Sequence, residues 1–117
     1  MFKQGSALIT NWKNNRDKIS ALFKERKSQT AKKPLLENAE KFMQTVYILN
    51  HHSWNEEANF SKDIENFIHK PFNVSERLQF IVDNAEHYHS YIQLNELFNE
   101  IEKIYARVEI LEVKKHK

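Results

Sequence analysis

The sequence predicts an all-α fold, a single-domain bundle of five to six helices with a long C-terminal helix at its centre. Three observations carry that prediction. Leu94, Leu97, Ile101, Ile104, Val108 and Leu111 recur at alternating spacings of three and four, which places them on one stripe of a helix. Phe98 and Tyr105 widen the stripe into a face that can bury against a core. A second run, Leu35, Leu36, Ala39, Phe42, Met43, Val46 and Leu49, repeats the same period. The third observation is a shortage: 117 residues contain one Gly and two Pro. Sandwiches, barrels and dinucleotide-binding folds need more turn and phosphate-approach glycines than that.

Taken in order, residues 1–28 place Leu8, Ile9, Trp12, Ile19, Leu22 and Phe23 on one helical face. Asn14-Asn15 falls in the gap of that pattern and Asp17 could cap a new start, so a break is expected there. Residues 28–33, Ser-Gln-Thr-Ala-Lys-Lys, carry no apolar period and read as a linker. Pro34 suits the first position of the next helix, which runs to about His51. The polar stretch 51–60 reads as a loop anchored by Trp54. Ser61 can cap a short helix in which Ile64, Phe67 and Ile68 face inward, ended by Pro71. Asn73-Val-Ser-Glu76 resembles a capping box, with Val74, Leu78, Ile81 and Val82 as the buried face that follows. Residues 83–86 turn the chain into the final helix, about 87–113. Such a helix of about 25 residues spans roughly 38 Å.

One domain is expected, with residues 34–117 as the core bundle and 1–33 as a basic N-terminal segment, loosely docked. The net charge of +2 conceals an asymmetry. Residues 1–33 hold nine basic and two acidic side chains, net +7, and the remaining 84 hold nine and fourteen, net −5. The imbalance suggests a partner for the basic end or an internal pairing of the two regions. Lys13, Arg16, Lys24, Arg26, Lys27, Lys32 and Lys33 are the residues that could contact a nucleic acid or an acidic partner. Trp12 could stack on a base if exposed, but it shares its face with Ile9, Ile19 and Phe23, which points to burial. The same segment also has the basic, aromatic character of a helix lying on an anionic membrane.

Other chemistry finds little support. No cysteine means no disulfide, no thiol nucleophile and no cysteine-ligated metal, which suits a cytoplasmic location. No apolar run approaches the length of a membrane span, and the N-terminus lacks the pattern of a signal peptide. His51-His52 and His87/His89 lack the three- or four-residue spacing with which helical histidines share a metal. Glu56-Glu57, Asp63/Glu65 and Glu96/Glu100 are paired carboxylates, and Glu86-x-x-His89 is a single copy of a motif that di-metal bundles use twice. Ser90 has no glycine-rich elbow to expose it as a nucleophile. No metal, no cofactor and no enzymatic activity are expected.

The segments Lys70-Pro-Phe-Asn-Val-Ser-Glu-Arg-Leu-Gln-Phe-Ile and His87-Tyr-His-Ser-Tyr-Ile-Gln-Leu-Asn-Glu-Leu-Phe resemble the YpoC-like family of small helical proteins of low-GC Gram-positive bacteria. The resemblance is sharpest over about residues 70–107. It implies a cytoplasmic, all-helical protein and brings no catalytic or binding residues with it.

The leading expectation for function is a non-enzymatic cytoplasmic binding or adaptor module that engages a protein partner. His87, Tyr88 and Tyr91 form the candidate interaction patch, against the alternative that the tyrosines are a core rim. The runner-up is a nucleic-acid-associated accessory protein using the basic N-terminal third. Homo-oligomerisation through the 94–111 stripe is a third reading, weakened because the stripe falls short of the three to four heptads a coiled coil needs.

Overall fold

The computed structural model describes the backbone of residues 2–115 and the side chains of residues 3–112. Five helices make one bundle: α1 (Phe2–Lys24), α2 (Ser28–Leu49), α3 (Phe60–Asp63) with a 3-10 turn at Ile64–Asn66, α4 (Val74–Asp83) and α5 (Tyr88–Lys115). No strand occurs among the described residues.

Helices α1 and α2 form an antiparallel hairpin, held at mid-length by the Lys41 ammonium donating to Asn11 Oδ1 at 3.1 Å. Helix α5 lies across both. It runs antiparallel to α1, since Trp12 meets Asn95 while Gly5 meets Tyr105. It is also antiparallel to α4, as shown by the Arg77–Glu100 and Phe80–His89 pairs. The three long helices bury Trp12, Leu35, Phe42, Leu94, Leu97, Phe98 and Ile101 almost completely. Trp12 stacks on Phe98 at 4.8 Å, and Phe42 meets the same ring edge-on at 5.3 Å. These offset and edge contacts are the arrangements that the aromatic quadrupole favours. Val108 is the last described residue of the α5 stripe to be buried, and Ile110 and Leu111 lie exposed beyond it.

Several local expectations are corrected. Helix α1 runs unbroken through Asn14-Asn15, because Asn15 turns its side-chain amide back onto the Asn11 carbonyl at 2.7 Å and remains helical. Residues 28–33 are not a linker but the first turns of α2, and Pro34 lies inside that helix. Ala31 and Leu35 are both fully buried there, so tertiary packing offsets the hydrogen bond that proline cannot make. The short helix α3 is capped by Asn59, whose side chain accepts from the Lys62 N–H, rather than by Ser61. Ile68 faces solvent because the helix has already ended and Phe67 is extended. Asn73 sits in left-handed geometry with φ 53° and makes no side-chain cap, so no capping box forms. Val82 is exposed on α4, where only Val74, Leu78 and Ile81 are buried.

A candidate protein-docking cleft between α4 and α5

The basic residues are distributed along α1 and the start of α2, with unequal partners. Lys13 pairs with Glu102 of α5, so part of the charge asymmetry is satisfied internally. Arg16 reaches Asn95 Oδ1 at 3.4 Å, the oxygen that also accepts from the Trp12 indole at 3.0 Å. Lys27 lies 3.6 Å from Glu25. Lys24, Arg26, Lys32 and Lys33 are exposed, and among the described residues none forms an ion pair. Trp12 is 1% exposed and cannot stack on a base.

The aromatic patch divides. His87 is exposed and 3.5 Å from Glu86. Tyr88 is partly exposed. Tyr91 is buried against Trp12 and Phe23, with Tyr88 stacked on its outer side at 5.6 Å. Burial pushes the Tyr91 phenol up, against a hydrogen bond with Ser20 that lowers it. Tyr91 is therefore core rim, and only His87 and Tyr88 of that patch face outward.

A different surface concentrates exposed apolar groups. Ile68 is 85% exposed and Phe72 81% exposed, in the segment linking the 3-10 turn to α4. That segment is fastened by side chains. The Asn50 amide makes a two-point clamp on His69, accepting from its N–H at 2.9 Å and donating to its carbonyl at 2.8 Å. Lys70 Nζ donates to the Ile64 carbonyl at 2.7 Å, and Arg77 Nη1 donates to the Phe72 carbonyl at 3.0 Å. The same guanidinium grips both carboxylate oxygens of Glu100. That hydrogen bond holds Arg77 above its ordinary value, with the charges of Glu100 and Glu96 adding to it against partial burial. Phe72 and Phe80 thereby become walls of a cleft of about 360 Å³, closed on the α5 side by His89 and Gln93. Phe80 meets the His89 ring edge-on at 5.7 Å.

The sequence pattern hides this cleft because Phe72 lies in a connection with no period and Phe80 falls outside the buried face of α4. The available signal was Phe80 itself, which falls off the Val74–Leu78–Ile81 face of α4 yet is large and apolar.

Among the described residues, no group of three metal-binding side chains comes together, and no helix is long and apolar enough to cross a membrane. Ser90 is fully buried and donates to the Asn84 carbonyl at 2.6 Å, which fastens the turn into α5. Comparison with curated proteins and with solved structures finds no match. The model of the YpoC-like protein family matches residues 3–113, a span that takes in α2, α3, α4, all but the outer ends of α1 and α5, and the cleft between α4 and α5. The chain belongs to the YpoC-like family.

Proposed function

We propose that this protein is a non-enzymatic helical adaptor that works in the bacterial cytoplasm and engages a protein partner through the α4/α5 face. The observation that carries the reading is the exposure of Phe72, a wall of the cleft, and of Ile68 in the same segment, whose backbone is fastened at His69 and Phe72. Two large apolar side chains held in water on a fastened backbone cost solvation without helping the fold. A partner that covers them recovers that energy without paying to order the segment. A non-enzymatic role fits the buried, hydrogen-bonded Ser90, whose hydroxyl is turned onto the Asn84 carbonyl. The absence of cysteine suits a reducing compartment.

The test places a photo-crosslinking amino acid at position 72 in the native cell, and at position 107 on α5 as a control. The proposal expects a discrete crosslinked protein from position 72 that disappears when Phe80→Ser is added. Crosslinks of the same pattern from both positions would overturn it.

A nucleic-acid reading is favoured by one observation, the exposed Lys24, Arg26, Lys32 and Lys33 near the α1–α2 turn. It requires binding to labelled duplex or single-stranded nucleic acid that falls steeply with salt. That binding should vanish when Lys24, Arg26, Lys27, Lys32 and Lys33 are reversed to Glu. Absence of binding at low salt removes this reading.

A further inference from the structure

From the charges around the α4/α5 cleft, and resting on the proposed protein-docking role, we infer that its occupant is a short amphipathic segment of a partner protein, with an apolar anchor flanked by lysine or arginine. The anchor is set by the cleft's walls, Phe72 and Phe80, with the His89 ring across from them. The flanks are set by charge. Glu76 lines the cleft and is exposed. Glu100 and Glu96 stand close enough to act on Arg77, the one cation of the lining. Arg77 is already committed to Glu100 and to the Phe72 carbonyl. Within the lining Glu76 and Arg77 balance, and the negative excess comes from Glu100, bonded to Arg77, and Glu96 one turn before it on α5. A neighbouring hollow, reached across Asn73 and Glu76, adds Glu65 and Lys70, whose opposite charges balance and leave the excess unchanged.

A negative excess beside two phenylalanine walls repels nucleic acid and anionic lipid headgroups and attracts a cationic polypeptide. Nine of the 18 basic residues of the chain lie in residues 1–33, along α1 and the beginning of α2, and none of those nine lines the cleft. An amphipathic helix presenting an apolar residue every three or four positions is the segment whose side chains match such a hollow.

The experiment selects a displayed library of random 16-residue peptides on the full-length protein, with counter-selection on the Phe72→Ser/Phe80→Ser chain. Both positions are exposed, and circular dichroism checks that the variant is folded. The inference expects recovered peptides that carry an aromatic or leucine anchor and net positive charge. They should bind the double-serine chain at least tenfold more weakly, and lose about another tenfold on Glu76→Lys/Glu96→Lys, with an affinity that falls as salt rises. Cleft-dependent peptides that are acidic or neutral would overturn the inference and leave the protein-docking role standing. Failure to recover any cleft-dependent peptide would overturn both. Concentration-dependent dimerisation abolished by the double-serine change would assign the cleft to a second copy and overturn the inference.

Discussion

At the scale of single residues, the near absence of glycine has visible consequences. Gly5 is the one glycine in the chain, and it is needed for space rather than for backbone freedom. A Cβ placed there would lie 2.4 Å from ring atoms of Tyr105. Helix propensity alone predicts that Gly5→Ala stabilises by about 1 kcal/mol. Forcing a methyl into the ring costs about 1–3 kcal/mol, so the expected gain is cancelled or reversed, with a net loss of up to about 2 kcal/mol and no rise in Tm. The same Gly5→Ala change in a Tyr105→Leu background should lose its penalty, which a double-mutant cycle of thermal melts would measure. Glycine is also missing where it would relieve strain. Helices α1 and α2 both end with a residue in left-handed geometry, Arg26 at φ 62° and His51 at φ 56°. The bonds from Lys27 N–H to the Leu22 carbonyl and from His52 N–H to the Tyr47 carbonyl complete a Schellman closure at each end. An L-residue pays about 1–2 kcal/mol for that geometry, so Arg26→Gly should raise stability by about 0.5–1 kcal/mol after the entropy of the unfolded chain is set against it. Chemical denaturation with an unchanged slope is the measurement, and a loss of stability would contradict this account.

At the scale of elements, the periodic helices were legible and their boundaries were not. The stripes of α2 and α5 could be read because an amphipathic face repeats every three or four residues over many turns. Helix ends are signalled by glycine and by side-chain caps, and this chain uses neither at the α1–α2 turn: Arg26 replaces glycine and Lys27 offers no cap. That is why 28–33 reads as a linker and why Pro34 looks like a first helical position. The cleft was less legible still, since it depends on where Phe72 points after a four-residue helix and a 3-10 turn, elements too short for a period. What fixes that segment is Asn50, which clamps His69 from 19 residues earlier in the sequence. Asn50→Ala removes both bonds to His69, while its remaining bond, to the Val46 carbonyl, duplicates a backbone interaction. Amide hydrogen exchange should therefore accelerate over residues 67–72 with α1 and α5 unchanged, and the global stability should fall by only about 1–3 kcal/mol. Uniform acceleration along the whole chain would show that Asn50 supports the core and not this segment alone.

At the scale of the whole molecule, the polar ends of the buried tyrosines tie the helices together and make stability sensitive to alkali. Tyr47, on α2, is fully buried; its hydroxyl donates to Asp63, and Trp54, Phe60 and Phe67 pack around its ring. Burial, that hydrogen bond and the Asp63 charge all push its phenol upward. Tyr105, on α5, is pushed up to about 12 by burial and by the Glu109 charge, against hydrogen bonds with Ser6 and the Gly5 backbone at the start of α1. Tyr91 is raised chiefly by burial at the α1–α5 contact. In each case the fold favours the neutral phenol over the phenolate. Their contribution is therefore complete below the unfolded value of about 10 and is lost as the pH climbs through the folded values. Tm should hold steady with respect to these groups up to about pH 9 and fall steeply between about pH 10 and 12, with the ultraviolet signal of phenolate appearing together with unfolding. Tyr105→Phe lowers Tm at neutral pH because it forfeits the bonds to the N-terminus of α1, yet it makes the alkaline fall shallower. A Tyr105→Phe chain with the same alkaline slope as the parent would mean that this phenol titrates freely in the folded state, and that the α1–α5 contact around Gly5 is open to water.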